Sequence, residues 1–342
     1  MNELIIKVAK RTMQMDLNVD KRGAWDWGAG VALYGLSRAF EYTRDQEIFD
    51  FIQYFVDISM EQTQIPKTVN TTAPLCSVLM LYRETGDTKY LDICTEFADW
   101  LMDAAPRTEN GILEHSGVGL HWTAQAWIDT VFMAGVFLTR IGTVTGRTEY
   151  VEEGLKQVRL HIDAIQESSG LFYHGYDYKL KNHLSSVLWG RGNAWFTVSV
   201  PEIVEFSKIK DEDIIKGFQN QVRAVKECQD NNGLWHTVLT DKNSYCEVSA
   251  SEGFVCGILK GMRMGLLGEE FKECAKKGAE AVIAKIADDG TVTDVSCGTG
   301  IQETVQMYYE IDRSEIMPWG QGLALLMLVE LDVWKRGEQH IS

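Results

Sequence analysis

The chain alternates between two kinds of helical pattern. Strongly apolar segments with small or polar openings begin at six places, namely Trp25, Asn70, Trp127, Trp189, Glu247 and Pro318. Between them lie segments with apolar residues three or four apart and charges on the other face, around residues 3–15, 45–57, 89–104, 148–166, 211–229 and 269–287. Helices of the first kind are expected inside the molecule, and helices of the second kind are expected to cover them.

Six such pairs predict an all-α protein, an (α/α)6 barrel of six inner and six outer helices. An open superhelix of stacked pairs is the alternative arrangement. The chain contains only five prolines and no low-complexity stretch that could serve as a linker, so we expect a single domain over residues 1–342. The one short run that is typical of a strand lies between Gly290 and Ser296.

Composition narrows the classes of partner. A formal net charge of −16 disfavours nucleic acid and anionic membranes, because both would be repelled. The N-terminal residues lack the pattern of a secretory signal, and no stretch is long and apolar enough to span a bilayer. The seven cysteines are scattered and form no CxxC pair, which is typical of reduced thiols. These features predict a cytoplasmic protein.

In such a barrel the inner helices begin at one rim, where free N–H groups and helix dipoles suit an anionic ligand. Asp129, in WIDTVFM, is the strongest candidate for chemistry there. The aromatic residues Trp122, Trp127 and Phe132 are expected to desolvate it and raise its pKa, as a general acid requires. The alternative is that Asp129 only caps the helix that follows.

Arginine, histidine and tryptophan accompany this acid. Arg191 lies between two glycines in LWGRGNAW and could present its guanidinium to a carboxylate, or form a salt bridge between helices. His174, in GLFYHGYD, has aromatic neighbours, and His236 is a weaker candidate of the same kind. Tryptophans in or near the openings resemble a platform for stacking sugars, although core packing explains some of them; the candidates are Trp127, Trp189, Trp195 and Trp319.

Together, the motifs IDTVFMAG, GLFYHGYD, LWGRGNAW, GLWHTVL and Glu247 to Ser251 resemble the unsaturated rhamnogalacturonyl hydrolases, glycoside hydrolase family 105, which are related to the unsaturated glucuronyl hydrolases. The resemblance covers most of the chain and implies the (α/α)6 fold. It implies a substrate that is a small oligosaccharide with a 4,5-unsaturated uronic acid at its non-reducing end, with unsaturated galacturonyl from rhamnogalacturonan as the expected unit. It also implies that no metal or organic cofactor takes part.

The family releases this sugar by hydrating its double bond. By resemblance, Asp129 protonates C4 and then, as the carboxylate, assists the water that adds at C5, after which the hemiketal collapses. Arg191 and His174 are expected to hold the substrate and Trp189 to stack beside its ring. Trp127, Trp195, His236 and Trp319 complete the expected substrate-binding set. The protein is expected to act as a monomer or a homodimer.

One position departs from the family. A second aspartate commonly opens the second inner helix there, whereas this chain reads VNTTAPL, with Asn70 or Thr71 at that place. Asn70 is also expected to bind the substrate. An amide can bind a sugar hydroxyl but cannot take a proton at neutral pH. Other readings therefore stay open: an inverting glycosidase that uses a second acid such as Asp26, Glu247 or Glu252, a sugar epimerase that uses histidines, and a diverged protein that only binds carbohydrate.

Overall fold

The computed structural model describes residues 1–17, 25–62 and 64–339. Helices dominate these ranges and alternate along the chain as the hydrophobic pattern predicts. In chain order they are α1 (Asn2–Met13), α2 (Trp27–Thr43), α3 (Gln46–Gln62), α4 (Leu75–Thr85), α5 (Thr88–Asp103), α6 (Val136–Thr145), α7 (Thr148–Ile165), α8 (Gly190–Ser207), α9 (Glu212–Glu227), α10 (Val248–Arg263), α11 (Lys272–Ile283), α12 (Val305–Tyr309) and α13 (Pro318–Gln339).

Six of these helices form a closed inner ring. Each packs against the next in the order α2, α4, α6, α8, α10 and α13, and α13 returns to α2. The amphipathic helices α1, α3, α5, α7, α9 and α11 pack outside them. The prediction of an (α/α)6 barrel is therefore confirmed, and the ring is closed rather than open. No helix within the described ranges combines the length and low charge needed to cross a membrane.

The two ends of the barrel are built differently. At one end, short turns lead from an inner helix to the next outer helix, and left-handed residues such as Arg44, Gly86 and Gly146 end α2, α4 and α6. At the other end, longer connections lead from an outer helix back to an inner one. These longer connections carry nearly all the polar and aromatic residues of the motifs, so they define the functional end.

Several of the longer connections share one local design. A glycine with positive φ turns the chain at Gly111, Gly170, Gly233 and Gly290, a conformation that is easy for glycine alone. In three of them the flanking residues pair in a single antiparallel bridge: Arg107 with Leu113, Gln166 with Phe172, and Ile286 with Val292. The expected strand at Gly290–Ser296 is therefore wrong: a tight turn leaves room for one bridge only.

The regular strands that the structure does contain are short. They are β1 (Ser116–Gly117), β2 (Leu120–His121), β3 (Gln125–Trp127) and β4 (Gly175–Asp177). β1 pairs with β2 and β3 pairs with β4, both antiparallel. The sequence pattern did not predict these strands, because two or three residues are too few to show an alternation of apolar and polar positions.

Glycines allow the inner helices to approach closely. A Cβ added at Gly322 of α13 would collide with the backbone of Val31 in α2, and one added at Gly35 would collide with Gly322. Gly257 of α10 meets the backbone of Thr197 in α8 in the same way. Because backbone atoms cannot move aside as a flexible side chain can, these positions fix the spacing of the ring.

Replacing Gly322 by alanine is therefore expected to lower the free energy of unfolding by about 1–3 kcal/mol through overpacking. Gly337 lies in the same helix, and a Cβ there meets nothing within 4 Å, so Gly337→Ala serves as a control that should be neutral or slightly stabilising. Urea unfolding of the two variants measures the difference. Equal stabilities would show that the glycine contact does not set the spacing of α2 and α13.

Candidate active site

A cavity of about 130 Å³ lies at the functional end of the barrel. Its wall combines the openings of four inner helices with the hairpin β1–β2 and a loop that precedes α13. The lining residues are Trp27, Asn70, His115, Leu120, Trp122, Trp127, Asp129, Met133, Trp189, Arg191, Gly298, Thr299 and Gly300. Aromatic rings and a few polar groups thus share one small concave space, as in a site for a small ligand.

The pairing of β3 with β4 brings Asp129 beside His174. Trp127 in β3 pairs with Gly175 in β4, and the N–H of Ile128 donates to the carbonyl of His174 at 3.1 Å. Asp129 follows directly, ahead of a π-helical turn at Val131–Gly135 that continues as α6. Thr130 stands at the capping position of this turn but makes no side-chain capping hydrogen bond.

The Asp129 carboxylate is buried and faces the His174 ring. Its Oδ2 lies 3.5 Å from Nε2 of His174. Burial acts to raise the pKa of Asp129, but the hydrogen bond and charge of His174, with a contribution from His115, outweigh it, and the pKa falls below its ordinary value. The expectation of a raised pKa for Asp129 is therefore wrong. The aromatic neighbours were anticipated, but the histidine contact was not.

His174 is itself fully enclosed. Burial lowers its pKa, and the opposing effect of Asp129 restores only part of the shift. At neutral pH the pair therefore consists of a carboxylate and a neutral imidazole. The ring of His174 packs against Trp189, with centroids 4.2 Å apart, and its Nδ1 lies 2.8 Å from the hydroxyl of Tyr308.

The histidine that does line the wall, His115, was missed by the sequence interpretation. Its ring stacks on Trp127 at a centroid distance of 4.7 Å, and its Nδ1 lies 3.0 Å from the hydroxyl of Thr130. Burial lowers the pKa of His115 to about 4, so the ring is neutral near pH 7. A signal was present: GILEH ends on His115 as GLFYH ends on His174, with the same five-residue spacing.

Arg191 reaches the cavity, but protein groups occupy its terminal nitrogens. Nη1 donates to the carbonyl and hydroxyl of Ser296 at 3.0 and 2.6 Å, and Nη2 donates to the carbonyl of Cys297 at 2.7 Å. Glu247 of α10 lies 3.6 Å away, and both side chains are fully buried. The interhelical salt bridge is thus the arrangement seen, because the loop and Glu247 engage the terminal nitrogens, whereas the buried Nε has no hydrogen-bond partner among the described residues.

The other acids considered from the sequence lie outside the wall. Asp26 accepts from the N–H of Trp27 and caps α2. Glu247 caps α10 through the N–H of Ala250 and also binds Ser249 and the loop. Glu252 is fully buried, and burial raises its pKa well above the ordinary value. Among the described residues, Asp129 is the one carboxylate that lines this cavity.

Four predicted substrate-binding residues also lie outside the wall, namely His174, Trp195, Trp319 and His236. Trp195 is fully buried and packs on Phe132 and Trp27. Trp319 packs on Trp27 at 4.3 Å and donates its indole N–H to the carbonyl of Ser296. Both are therefore packing residues behind the cavity, because Trp27 stands in front of them.

His236 lies apart from the cavity as well. Its Nδ1 contacts the carbonyl of Ser244 at 2.5 Å and its Nε2 lies 3.4 Å from Asp230. Together with Cys246, these side chains offer donors within 4.8 Å of one another, as a metal ion would require. Cys246 approaches Nδ1, at 4.0 Å, whereas Asp230 approaches Nε2. The two donors therefore address opposite sides of the ring, and this does not favour one shared ion.

The remaining predicted residues do line the cavity: Asn70, Trp127 and Trp189 stand in its wall with Asp129. Asn70 is buried, and its Oδ1 has no hydrogen-bond partner in the described part of the chain. A buried carbonyl oxygen without a donor is costly. In this cavity a hydroxyl of a bound sugar is a suitable donor.

Known proteins of similar sequence agree with the family that the motifs resemble. The family described as Glycosyl Hydrolase Family 88 matches residues 1–333. The unsaturated rhamnogalacturonyl hydrolase YesR of Bacillus subtilis is 36% identical over 334 residues, which cover 96% of this chain and 94% of that protein. An unsaturated 3S-rhamnoglycuronyl hydrolase of an Alteromonas species is 23% identical, covering 91% of this chain and 78% of that protein.

Solved structures agree in fold. A possible member of family GH105 from Klebsiella pneumoniae superposes with a TM-score of 0.90 and 32% identity, over 98% of this chain and 92% of that one. The unsaturated glucuronyl hydrolase of Bacillus sp. GL1 superposes with a TM-score of 0.75 and 18% identity, over 97% of both chains. The resemblance drawn from the motifs is confirmed, and the chain belongs to glycosyl hydrolase family 88.

Proposed function

We propose that this protein releases a 4,5-unsaturated uronic acid from the non-reducing end of a short oligosaccharide by hydrating the double bond of that sugar. The observation that carries the proposal is the single carboxylate in the cavity wall, Asp129, set against His174. The 36% identical relative is an unsaturated rhamnogalacturonyl hydrolase. An unsaturated galacturonyl unit linked to rhamnose is therefore the substrate to test first.

A single carboxylate favours hydration over direct hydrolysis. An inverting glycosidase needs an acid on one side of the glycosidic bond and a base on the other, about 6.5–9.5 Å apart. The other acids considered, Asp26, Glu247 and Glu252, are occupied by helix capping or fully buried. Hydration of an enol ether needs one group that gives a proton to carbon and then, as its conjugate base, accepts one from water.

Asp129 suits both steps. It gives its proton to C4, which leaves positive charge on C5 and the ring oxygen. The carboxylate then removes a proton from the water that adds at C5, and the resulting hemiketal opens and releases the neighbouring sugar. The free carboxyl is ionised at neutral pH, since its pKa is lowered. An anionic uronate bound beside Asp129 raises the pKa of this carboxyl by like-charge repulsion, so Asp129 takes up a proton when substrate binds.

The substrate carboxylate needs donors that Arg191 no longer has free at its terminal nitrogens. The loop held by Arg191 contributes Gly298, Thr299 and Gly300 to the cavity. Successive backbone N–H groups in such a loop form a concave site for anions. We assign the uronate carboxylate to this loop, with Arg191 beneath it as the fixed positive charge. Trp122, Trp127 and Trp189 offer faces on which the sugar rings stack.

The seven cysteines are all free thiols. This supports the expectation of a reducing, cytoplasmic location. In that setting the protein would act on short fragments left by lyases, as a monomer or a homodimer.

Asp129→Asn tests the catalytic assignment. The ultraviolet band of the conjugated enol ether should vanish from unsaturated galacturonyl-rhamnose with the wild-type protein. The variant should be slower by about a hundredfold to ten-thousandfold, the usual contribution of general acid–base catalysis. Asp163→Asn, an exposed position on α7, is the matched control and should keep full activity. An active Asp129→Asn enzyme would exclude Asp129 as the acid.

Asn70 is expected to bind a substrate hydroxyl and to influence Asp129. Asn70→Ala removes the amide and should raise KM by roughly threefold to tenfold, the value of one hydrogen bond. Asn70→Asp adds a negative charge to the cavity that holds Asp129, which raises the pKa of Asp129. The general acid then stays protonated to higher pH, so the decline of kcat/KM with rising pH should move upward. Profiles of both variants that match the wild type would contradict this role.

A further inference from the structure

Tyr308 is a buried tyrosine that the proposed chemistry does not use. It lies on the short helix α12, yet its side chain is completely enclosed. It packs with Val187, Trp189 and Val238 in a small apolar cluster separate from the main core. Burial raises the pKa of Tyr308 to about 12, so the phenol keeps its proton at any working pH. A buried hydroxyl of this kind requires a partner.

The Tyr308 hydroxyl connects Gln302, which follows the cavity-lining residues 298–300, with the His174 ring beside Asp129. The N–H of Gln302 donates to the hydroxyl oxygen of Tyr308 at 3.3 Å. The same hydroxyl lies 2.8 Å from Nδ1 of His174. On the far side of the ring, Nε2 of His174 lies 3.5 Å from the carboxylate of Asp129. Tyr308, His174 and Asp129 therefore lie in one line inside the protein: a hydrogen bond joins the first two, and a 3.5 Å contact outside hydrogen-bond geometry separates the last two.

The direction of these contacts follows from charge. A neutral imidazole carries one proton, on Nδ1 or on Nε2. Nε2 faces a carboxylate, and a bare nitrogen lone pair there would be repelled by the negative oxygen. Asp129 therefore favours the proton on Nε2, which leaves Nδ1 as a buried lone pair that is costly unless a donor meets it. The tyrosine hydroxyl, which keeps its proton, is the donor that Nδ1 requires.

We propose that Tyr308 is a positioning residue that fixes His174 in the Nε2–H tautomer, so that the ring always directs an N–H to Asp129. This rests on the proposed role of Asp129 as the acid. With the N–H in place, Asp129 is held as the carboxylate between turnovers and in the orientation needed to receive the next proton. Without the tyrosine hydroxyl, His174 is free to carry its proton on Nδ1 and to present a lone pair to Asp129.

The other titratable groups around His174 and Asp129 are His115, His161 and Arg191, and a substitution at Tyr308 removes none of them. His115 and His161 are buried and have pKa values lowered to about 4 by burial. Arg191 carries a fixed charge that opposes protonation of His174. None of these groups touches the Tyr308 hydroxyl, so a change that follows its removal comes from the tautomer of His174.

The tautomer is measured directly by nitrogen NMR on protein labelled at its seven histidines, with the His174 signals assigned through His174→Gln. The wild type at neutral pH should show a protonated Nε2 and an unprotonated Nδ1 on His174. In Tyr308→Phe the two nitrogens should shift toward the averaged values of exchanging tautomers. Tyr309→Phe is the matched control, because the Tyr309 hydroxyl binds Asp241 instead, and its His174 signals should equal those of the wild type.

Activity supplies an independent readout. Tyr308→Phe should lower kcat about threefold to tenfold, in line with the loss of one hydrogen bond. The pH at which activity declines should move upward, because a weaker hydrogen bond to the carboxylate raises the pKa of Asp129. Tyr309→Phe should change neither quantity.

A proton on Nδ1 of His174 in the wild type would overturn the proposal. This result comes from the wild-type protein and does not depend on whether Tyr308→Phe folds. An unchanged tautomer and pH profile in folded Tyr308→Phe would overturn it as well. The proposed function fails separately, through an active Asp129→Asn enzyme or the absence of turnover on unsaturated substrates. The NMR result stands whichever way that assay falls.

Discussion

A fully buried ion pair between Arg191 and Glu247 holds the functional end of this protein together. The two residues come from the openings of adjacent inner helices, and both bind the loop at Ser296. Trp319 of a third inner helix donates to the carbonyl of the same serine. Removing one member of such a pair costs about 3–5 kcal/mol, because the other charge is left buried and alone. The pair thus links three helices to the loop that forms one side of the cavity.

Two opposing effects determine the pKa of the Asp129 carboxylate, the proposed general acid. Burial acts to raise the pKa of Asp129, whereas the neighbouring His174 stabilises the ionised form, and the second effect prevails. In the proposed mechanism, an arriving uronate changes this balance because it brings a second negative charge into the same cavity. On this proposal, Asp129 becomes protonated only when substrate is bound. The lowered pKa is then compatible with a general acid.

The helical plan was readable from the sequence because each inner or outer helix is long enough to show its period. The placement of Asp129, His174 and Trp189 at the functional end was readable too, since they stand at helix openings or beside them. Trp195 was misread because it lies inside α8, where side chains meet neighbouring helices rather than the rim. Arg191 was expected to face a ligand, but the sequence could not reveal that a loop a hundred residues later would occupy its nitrogens. Tyr308 belongs to a connection without any periodic pattern, and only the folded chain brings it to His174.

The central claim is that Asp129 protonates a carbon of the sugar ring rather than the oxygen of the glycosidic bond. The most direct test compares an unsaturated disaccharide with its analogue in which sulfur replaces the glycosidic oxygen. Ordinary glycosidases depend on protonating that bridging atom, and sulfur accepts a proton poorly. The account predicts that the wild-type protein cleaves both compounds at similar rates and that Asp129→Asn cleaves neither. Cleavage of the oxygen-linked compound alone would contradict hydration and point to direct attack on the glycosidic bond.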